Sequence, residues 1–180
     1  AGGTDAIAIA SAGGATARRV GELYGFRVAT ADAHEVIRHP DVDAVFVLTR
    51  HDLHAPLVVA ALEAGKHVFC EKPLALTREG LAAIETARAA SEGDVMVGFN
   101  RRFAPLVQRM AQHFAGRAAP LVMHYRINAG FIPPEHWVHD PVEGGGRILG
   151  DGCHFIDLLH FLAGGAPVRV YAETMVGGSR

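Results

Sequence analysis

The chain is poor in cysteine, in long apolar runs and in any excess of charge, and each shortage excludes a class of protein. Its two cysteines, Cys70 and Cys153, are far apart, so no disulfide or Cys-x-x-Cys metal site is predicted and a reducing, cytoplasmic setting is the default. The longest apolar stretches, such as Ala44–Leu48 and Ala55–Leu62, are far shorter than the roughly 18 residues of a membrane helix. The 17 basic and 19 acidic residues give a net charge of −2, which leaves no basic face for nucleic acid.

Several catalytic and metal-binding motifs are absent as well. There is no Gly-x-Ser-x-Gly, so a hydrolase with a serine nucleophile has no support. There are 11 histidines, and His136 and His139 lie three apart in a predicted loop, but no His-Glu-x-x-His spacing accompanies them. No metal site is predicted, and a zinc hydrolase is the least supported function.

What the chain does contain is a globular composition and a regular alternation of strands and helices. Apolar residues make up 49% and charged residues 20% of the chain. The predicted strands are Ala6–Ala10, Arg27–Thr30, Ala44–Leu48, His67–Cys70 and Val95–Phe99, and the predicted helices are Ala15–Tyr24, Ala33–Arg38, Pro56–Ala64 and Thr77–Ala90. Alternation with short loops predicts an α/β fold, a doubly wound parallel sheet with helices on both faces.

After Phe99 the pattern changes, and a domain boundary is predicted near residue 100. The elements predicted beyond it are a helix over Pro105–Ala115, a strand over Leu121–Asn128, a loop over Ala129–Gly146, a helix over Leu149–Ala163 and a strand over Val168–Val176. Residues 1–100 and 101–180 are therefore assigned to two domains.

Ligands of a doubly wound sheet bind at the carboxyl ends of its strands, so the residues that follow each strand are candidates for a site. Lys72 is the most telling of them, because it lies in Glu71-Lys72-Pro73 directly after a predicted strand. Proline fixes the turn and holds the preceding residue extended, so the lysine is displayed at the sheet edge. A partly desolvated lysine there can donate a proton or hydrogen-bond a substrate hydroxyl. A lysine on a surface turn is the alternative interpretation.

A second unusual passage is the glycine-rich stretch that runs from Gly144 into the last predicted helix. Asp151, His154 and Asp157 follow at intervals of three residues, so carboxylates flank the histidine. A carboxylate can orient an imidazole and raise its basicity, as a general base requires. A helix-start carboxylate beside a core histidine is the alternative.

The dinucleotide fingerprint Gly-x-Gly-x-x-Gly is absent, and two interpretations of the first predicted strand are open. In one, Gly13-Gly14 is a reduced phosphate turn and Asp32, about 20 residues further on, is the acid that binds the ribose. In the other, the strand–glycine-loop–helix unit has been lost, Ala6–Ala10 is the second strand of the sheet, and Ser11 stands at the ribose position. The pattern alone does not choose between them.

The chain closely resembles the Gfo/Idh/MocA oxidoreductases over nearly its whole length. The resemblance is carried by Thr49-Arg50-His51-Asp52-Leu53-His54 after Ala44–Leu48, by Ala64–Leu74 with its Glu-Lys-Pro, by Val97–Phe103 and by the Gly-Gly-Gly…Cys-His-Phe-Ile-Asp stretch. Within the family, Asn128-Ala129-Gly130, His136-Trp137 and Gly150–His154 resemble a subgroup fused behind a zinc-type alcohol dehydrogenase domain.

The resemblance implies a partial NAD(P)-binding Rossmann domain and a truncated α+β domain for substrate and oligomerisation, with an open antiparallel sheet. It implies hydride transfer between NAD or NADP and a sugar, inositol or related polyol. Lys72 matches the motif lysine and His154 the catalytic base. The family's acid lies four residues before that histidine, where this chain has Gly150, so the catalytic role of Asp151 requires an irregular turn. Expected cofactor contacts are Ser11, Thr49, His51, His54, Glu71 and Lys72, and expected substrate contacts are Asn100, Arg101 and Asn128.

The resemblance also favours the second interpretation of the first strand, because the family's fingerprint precedes the segment that Ala6–Ala10 resembles. The first βα unit and part of the second domain are then missing. These 180 residues alone are expected to be inactive and to bind NAD weakly, because the phosphate-binding loop is absent. The full-length protein is expected to form a homo-oligomer. The alternative function is a non-catalytic nucleotide-binding or assembly module that retains the fold.

Overall fold

The structure, a computed structural model, describes residues 3–174. Its strands are β1 (Ala8–Ala10), β2 (Val28–Thr30), β3 (Ala44–Val47), β4 (His67–Cys70) and β5 (Val95–Val97). Its α-helices are α1 (Gly14–Tyr24), α2 (Ala33–Arg38), α3 (His54–Glu63), α4 (Arg78–Ala90), α5 (Pro105–Phe114) and α6 (Cys153–Ala163). Three 3₁₀ turns cover His51–Leu53, Asn100–Phe103 and Trp137–His139, and a π-helical turn covers Ile148–Gly152.

The helices of the first half begin and end at recognisable signals. The Asp32 side chain accepts a hydrogen bond from the His34 N–H at 2.8 Å and caps α2. Thr77 caps α4 in the same way, through the Gly80 N–H at 3.0 Å. Helix α1 ends at Gly25, whose φ of 76° is the left-handed conformation that glycine adopts without strain. The predicted α/β alternation over residues 6–99 is therefore confirmed, with ends that differ by at most two residues.

The strands form two parallel groups rather than one continuous sheet. β1 pairs only with β2, and β3, β4 and β5 pair in that order. A doubly wound sheet of order 3-2-1-4-5-6 has one central strand with a neighbour on each side. If β1 of this chain takes the second place in that order, the two groups separate where the central strand would lie. This topology supports the interpretation in which Ser11, and not Asp32, stands at the ribose position.

Helices α3 and α4 cover one face of the β3–β4–β5 group and bury its core. The buried cluster there consists of Ile37, Val42, Val45, Val47, Val58, Ala61, Leu62, Val68, Cys70 and Ile84. The opposite face carries a row of apolar side chains in register: Phe46, Phe69 and Met96. Of these, Phe46 is 62% and Met96 51% exposed, so this face is left open to solvent within the described residues.

The second half contains less regular structure than its sequence predicts. The strand predicted over Leu121–Asn128 is wrong, because these residues form no hydrogen-bonded ladder. Residues 168–174 of the strand predicted over Val168–Val176 are also not a strand, and residues 175–176 lie outside the described range. A strand needs a neighbour for its N–H and C=O groups, and between residues 3 and 174 none pairs with either segment. The expected antiparallel sheet is therefore not formed by the residues described.

Across residues 3–174, no helix combines the length and the apolar character that crossing a bilayer demands.

Candidate functional site

Lys72 follows β4 and reaches across to the second half of the chain. Its Nζ donates a hydrogen bond to the Gly150 carbonyl oxygen at 2.7 Å. The Lys72–Pro73 peptide bond is cis. A charge-assisted bond of this kind fixes the ammonium group beside the π-helical turn. The lysine is therefore a tethered group at the sheet edge and not a mobile surface side chain.

His154 lies in the first turn of α6, with a side chain that is partly buried. Its Nδ1 atom is buried and has no hydrogen-bond partner within the described residues. Its ring meets Phe99, at the end of the sheet, edge to face with 6.2 Å between the centroids. Burial, followed by the positive charges of Lys72 and Arg101, lowers the pKa of His154 below its ordinary 6.5. The imidazole is thus neutral at neutral pH and able to accept a proton.

Asp151 is brought to the same site by the π-helical turn. The Cys153 N–H bonds back five residues to the Ile148 carbonyl, which widens the backbone turn between Asp151 and His154. Arg147 Nε donates to Asp151 Oδ2 at 2.9 Å and orients the carboxylate. Asp151 and His154 line one cavity. The turn is irregular, as a site role for this acid requires.

That cavity has a volume of about 450 Å³ and is bounded by both ordered and irregular segments of the second half. Its polar lining consists of Arg101, Arg126, Asn128, Arg147, Asp151 and His154. Of the three expected substrate contacts, Arg101 and Asn128 line the cavity. Asn100 does not: it begins the 3₁₀ turn, is exposed, and donates its N–H to the Gly98 carbonyl at 2.8 Å.

Three of the expected cofactor contacts lie at the carboxyl ends of strands. Ser11 follows β1 and donates its N–H to the Thr30 carbonyl at 3.2 Å. Thr49 is exposed beyond β3. Glu71 is half-buried after β4, where its Oε2 accepts the Lys72 N–H at 3.2 Å. These positions match the edge at which parallel sheets bind nucleotides.

Besides Lys72, the remaining expected cofactor contacts are His51 and His54, and both are buried. His54 is fully buried, and its ring nitrogens lie 2.7 Å from the Pro73 carbonyl and 3.1 Å from the Thr49 carbonyl, so neither is free for a ligand. His51 Nδ1 lies 2.8 Å from the Gly144 carbonyl, and its ring packs edge-on against Trp137. Burial lowers the pKa of His51, which favours the neutral ring. Both rings therefore connect loop backbones, and both nitrogens of His54 are engaged by carbonyl groups.

Two family models match the chain in succession. The first, described as an oxidoreductase family with an NAD-binding Rossmann fold, matches residues 1–99, and the second, the GFO/IDH/MocA C-terminal domain, matches residues 106–178. The chain belongs to the GFO/IDH/MocA oxidoreductase family. The separate zinc-type alcohol dehydrogenase domain, expected of one subgroup, is not part of either match.

Among the curated relatives, 1,5-anhydro-D-fructose reductase of Ensifer adhaerens is 35% identical over 160 residues, which is 86% of this chain and 47% of that protein. Inositol 2-dehydrogenase of Rhizobium meliloti is 34% identical over 172 residues, 94% of this chain and 51% of that protein. The chain thus spans about half the length of the curated relatives it matches.

Solved structures agree with the sequence relatives. Levoglucosan dehydrogenase in complex with NADH and levoglucosan superposes with a TM-score of 0.71 at 31% identity, over 88% of this chain and 45% of that one. An oxidoreductase domain protein from Kribbella flavida gives a TM-score of 0.78 at 30% identity, over 89% of this chain and 44% of that one. The Rossmann-like α/β fold is that of the GFO/IDH/MocA dehydrogenases.

Sequence reasoning on this GFO/IDH/MocA chain missed the contacts that attach the residues beyond 104 to the edge of the sheet. Arg102 forms a two-point ion pair with the buried carboxylate of Asp157, and its guanidinium lies 5.5 Å from the Phe161 ring. Arg50 pairs with Glu143 beside Trp137. The partners of these two ion pairs lie 55 and 93 residues apart in the chain, so no local pattern reveals them.

Within residues 3–174, no three side chains among His, Cys, Asp and Glu converge as metal ligands would. His136 and Trp137 instead border a separate, open concavity together with Arg50 and Glu143. Of the two cysteines, Cys70 is buried in the core, and burial raises the pKa of its thiol to about 12. That thiol stays protonated and unreactive.

Proposed function

We propose that the protein containing this chain is an NAD(P)-dependent oxidoreductase that transfers a hydride between a nicotinamide cofactor and a sugar, inositol or related polyol. The observation that carries the proposal is a cavity lined by the Asp151 carboxylate and a neutral, unpartnered His154, with Lys72 tethered to the Gly150 carbonyl directly before Asp151. The names of the relatives, sugar and inositol dehydrogenases and reductases, support the substrate class.

His154 acts as the general base in this proposal. A buried nitrogen without a partner is rare in folded proteins, and a substrate hydroxyl would complete its hydrogen bonding. The proton passes from that hydroxyl oxygen to the imidazole while the carbon–hydrogen bond breaks and the hydroxyl carbon becomes a carbonyl carbon. Bound nicotinamide supplies the acceptor for the hydride. The lowered pKa of His154 keeps the ring in its base form before the reaction.

Lys72 positions the reacting oxygen. Its ammonium is fixed by the Gly150 carbonyl, and two of its three protons remain to hydrogen-bond an alcohol or carbonyl oxygen. Asp151, oriented by Arg147, and the amide of Asn128 supply further acceptors and donors for hydroxyl groups in the cavity. Arg101 borders the same cavity and lowers the pKa of His154.

Ser11, Thr49 and Glu71 would hold the cofactor at the carboxyl ends of the strands. Ser11 carries no charge to favour a ribose hydroxyl over a ribose phosphate, so NAD and NADP are both candidates. The 180 residues contain no Gly-x-Gly-x-x-Gly loop for the pyrophosphate. Fluorescence titration with NADH should therefore give much weaker binding to this chain than to the whole protein. Micromolar affinity for the chain alone would contradict this assignment.

Turnover in the whole protein tests the catalytic roles. Lys72→Ala and His154→Ala should each lower kcat by about 10²- to 10⁴-fold while NADH binding is largely retained. His160→Ala is the matched control, because His160 lies exposed on the same helix. Normal turnover in both active-site variants would instead favour the alternative, a nucleotide-binding or assembly module without catalysis. The shifted spacing between the acid and His154 no longer supports that alternative, because Asp151 lies in an irregular turn and lines the cavity.

The organisation of the whole protein is proposed on the same basis. The two parts are a cofactor domain up to about residue 100 and a substrate and oligomerisation domain beyond it. A cytoplasmic location, assembly as a homo-oligomer and fusion to a zinc-type alcohol dehydrogenase domain also remain predictions. Light scattering on the whole protein measures the assembly directly.

A further inference from the structure

The cavity beside His154 carries an excess of positive charge. Its lining includes three guanidinium groups, those of Arg101, Arg126 and Arg147, and one carboxylate, that of Asp151. Lys72 and Glu71 do not line the cavity, and as neighbours in the chain they offset one another in charge. Two positive charges are therefore left over in a site proposed for uncharged polyols.

The pairing of these arginines shows which of them are available. Arg147 is engaged by Asp151 and by the Gly130 carbonyl, the latter at 3.0 Å. Arg101 lies over the Phe155 ring, 4.8 Å from its centroid, which fixes the guanidinium without neutralising it. Among residues 3–174, no carboxylate lies within ion-pair distance of Arg101 or Arg126. Arg101 and Arg126 therefore carry the two positive charges in the cavity that no carboxylate neutralises.

An uncharged polyol gives no reason for such an arrangement. Hydroxyl groups are recognised by mixed donors and acceptors, and Asn128, Asp151 and His154 already provide both. A guanidinium offers donors only, in a planar fork that matches the oxygen pairs of a carboxylate or phosphate. A surplus of guanidinium charge inside a concave site raises the local concentration of anions.

We propose that the substrate is a polyhydroxy compound bearing an anionic group, a carboxylate or a phosphate ester, which Arg101 and Arg126 bind while His154 faces the reacting hydroxyl. The inference rests on the proposed function for the hydride step, but the charge preference is a property of the cavity and is measurable without turnover. The phosphates of the cofactor are a separate matter, because Ser11 and its neighbours lie at the strand ends and do not line this cavity.

Calorimetry on the NADH-loaded whole protein tests the preference. D-Glucose, D-glucuronate and D-glucose 6-phosphate form a matched set that is neutral, carboxylated and phosphorylated. At least one charged sugar should bind tenfold or more tightly than glucose, and the ratio should shrink as ionic strength rises. The tighter of the two charged sugars identifies the anionic group. Equal affinities for all three sugars would overturn the inference.

A pair of arginine variants locates the effect. Arg126→Gln should reduce the ratio of charged to neutral affinity about tenfold while leaving the affinity for NADH as it was. Arg109→Gln, an exposed arginine on α5 that does not border the cavity, should leave the ratio unchanged. The same ratio in both variants would show that the cavity does not select for charge.

The two proposals fail in different ways. Tight, Arg126-dependent binding of a charged sugar with no NAD(P)-linked oxidation of any sugar would sustain the charge preference and overturn the proposed function. Oxidation of neutral polyols, with no preference for a charged one, would sustain the proposed function and overturn the charge preference.

Discussion

The two halves of the chain acquire their order in different ways. Between β1 and β5, parallel strands and covering helices bury a cluster of ten apolar residues that is independent of the rest. Beyond residue 104 the only buried apolar side chains within the described range are Val138 and Leu158. That half is held instead by polar links to the sheet edge: Lys72 to the Gly150 carbonyl, His51 to the Gly144 carbonyl and Arg102 to Asp157.

The difference shows where precision comes from in the candidate site. The first half supplies a rigid edge, and the second half supplies the base and the acid. The second half is held against that edge by side chains that lie close to the candidate site, such as Lys72. Changes that separate the two contributions therefore test the comparison.

The largest effect is expected from deleting core volume in the first half. Leu62→Ala should destabilise the chain by about 3 kcal/mol, because Leu62 is fully buried and its cavity cannot close. Leu158→Ala, in the second half, should cost less, about 2 kcal/mol, because Leu158 is 8% exposed whereas Leu62 is 0% exposed. Urea unfolding measures both. Amide hydrogen exchange should become faster throughout the chain in Leu62→Ala, but only beyond residue 104 in Leu158→Ala. Equal costs and equal spread would contradict the separation.

A somewhat smaller loss should follow when the link between the halves is cut. Asp157→Ala leaves the Arg102 guanidinium without its partner in a partly buried position, which should cost about 2–3 kcal/mol. Asp94→Ala removes a comparable but exposed ion pair with Arg88 and should change stability little. Thermal unfolding of the two variants side by side gives the contrast. An Asp157 variant as stable as the Asp94 variant would mean that the link is dispensable.

The electrostatic dependence of His154 on the sheet edge gives a third, kinetic effect. Arg101 helps to lower the pKa of His154, so Arg101→Gln should raise that pKa towards its ordinary value. In the proposed mechanism the activity of the whole protein depends on neutral His154, so the acid limb of its pH profile should move to higher pH. The kcat–pH profile detects the shift, with Arg109→Gln as control. No shift, or one to lower pH, would exclude the coupling.

The smallest effect concerns stability at mildly acid pH. The folded pKa of His51 lies below its unfolded value of 6.5, so the unfolded chain binds the proton more readily. Stability should be complete above pH 6.5 and decline as the pH falls through the folded pKa. His51→Gln should flatten this decline, whereas His34→Gln, an exposed control, should not. Urea midpoints at pH 7.5 and 5.5 measure the slope.

Sequence patterns were sufficient for the first half because its signals are local. Apolar runs of four or five residues, a capping threonine and a terminal glycine each act within one turn or strand. The elements of the second half were harder to predict from sequence. Leu121–Asn128 has the composition of a strand, but a ladder depends on a partner that no single segment encodes.

The site shows the same division. A proline marks Lys72 and flanking acids mark His154 as candidates, but the family resemblance is what assigns their roles, which stay predictions. The burial of His54 between two carbonyls depends on a loop 19 residues away and could not be inferred. The π-helical turn that brings Asp151 to the cavity arises from a single extra residue per turn, which helical periodicity does not register.

The separation of the sheet between β1 and β3 also has a consequence for how this chain behaves in solution. Each of these strands presents an edge of unpaired N–H and C=O groups, and the Phe46–Phe69–Met96 row lies open beside β3. Bare strand edges next to exposed aromatic surface recruit other strands, including those of identical molecules. Concentrated solutions of these 180 residues should therefore self-associate through edge-to-edge pairing. Charged substitutions such as Phe46→Lys would suppress it and keep the chain dispersed.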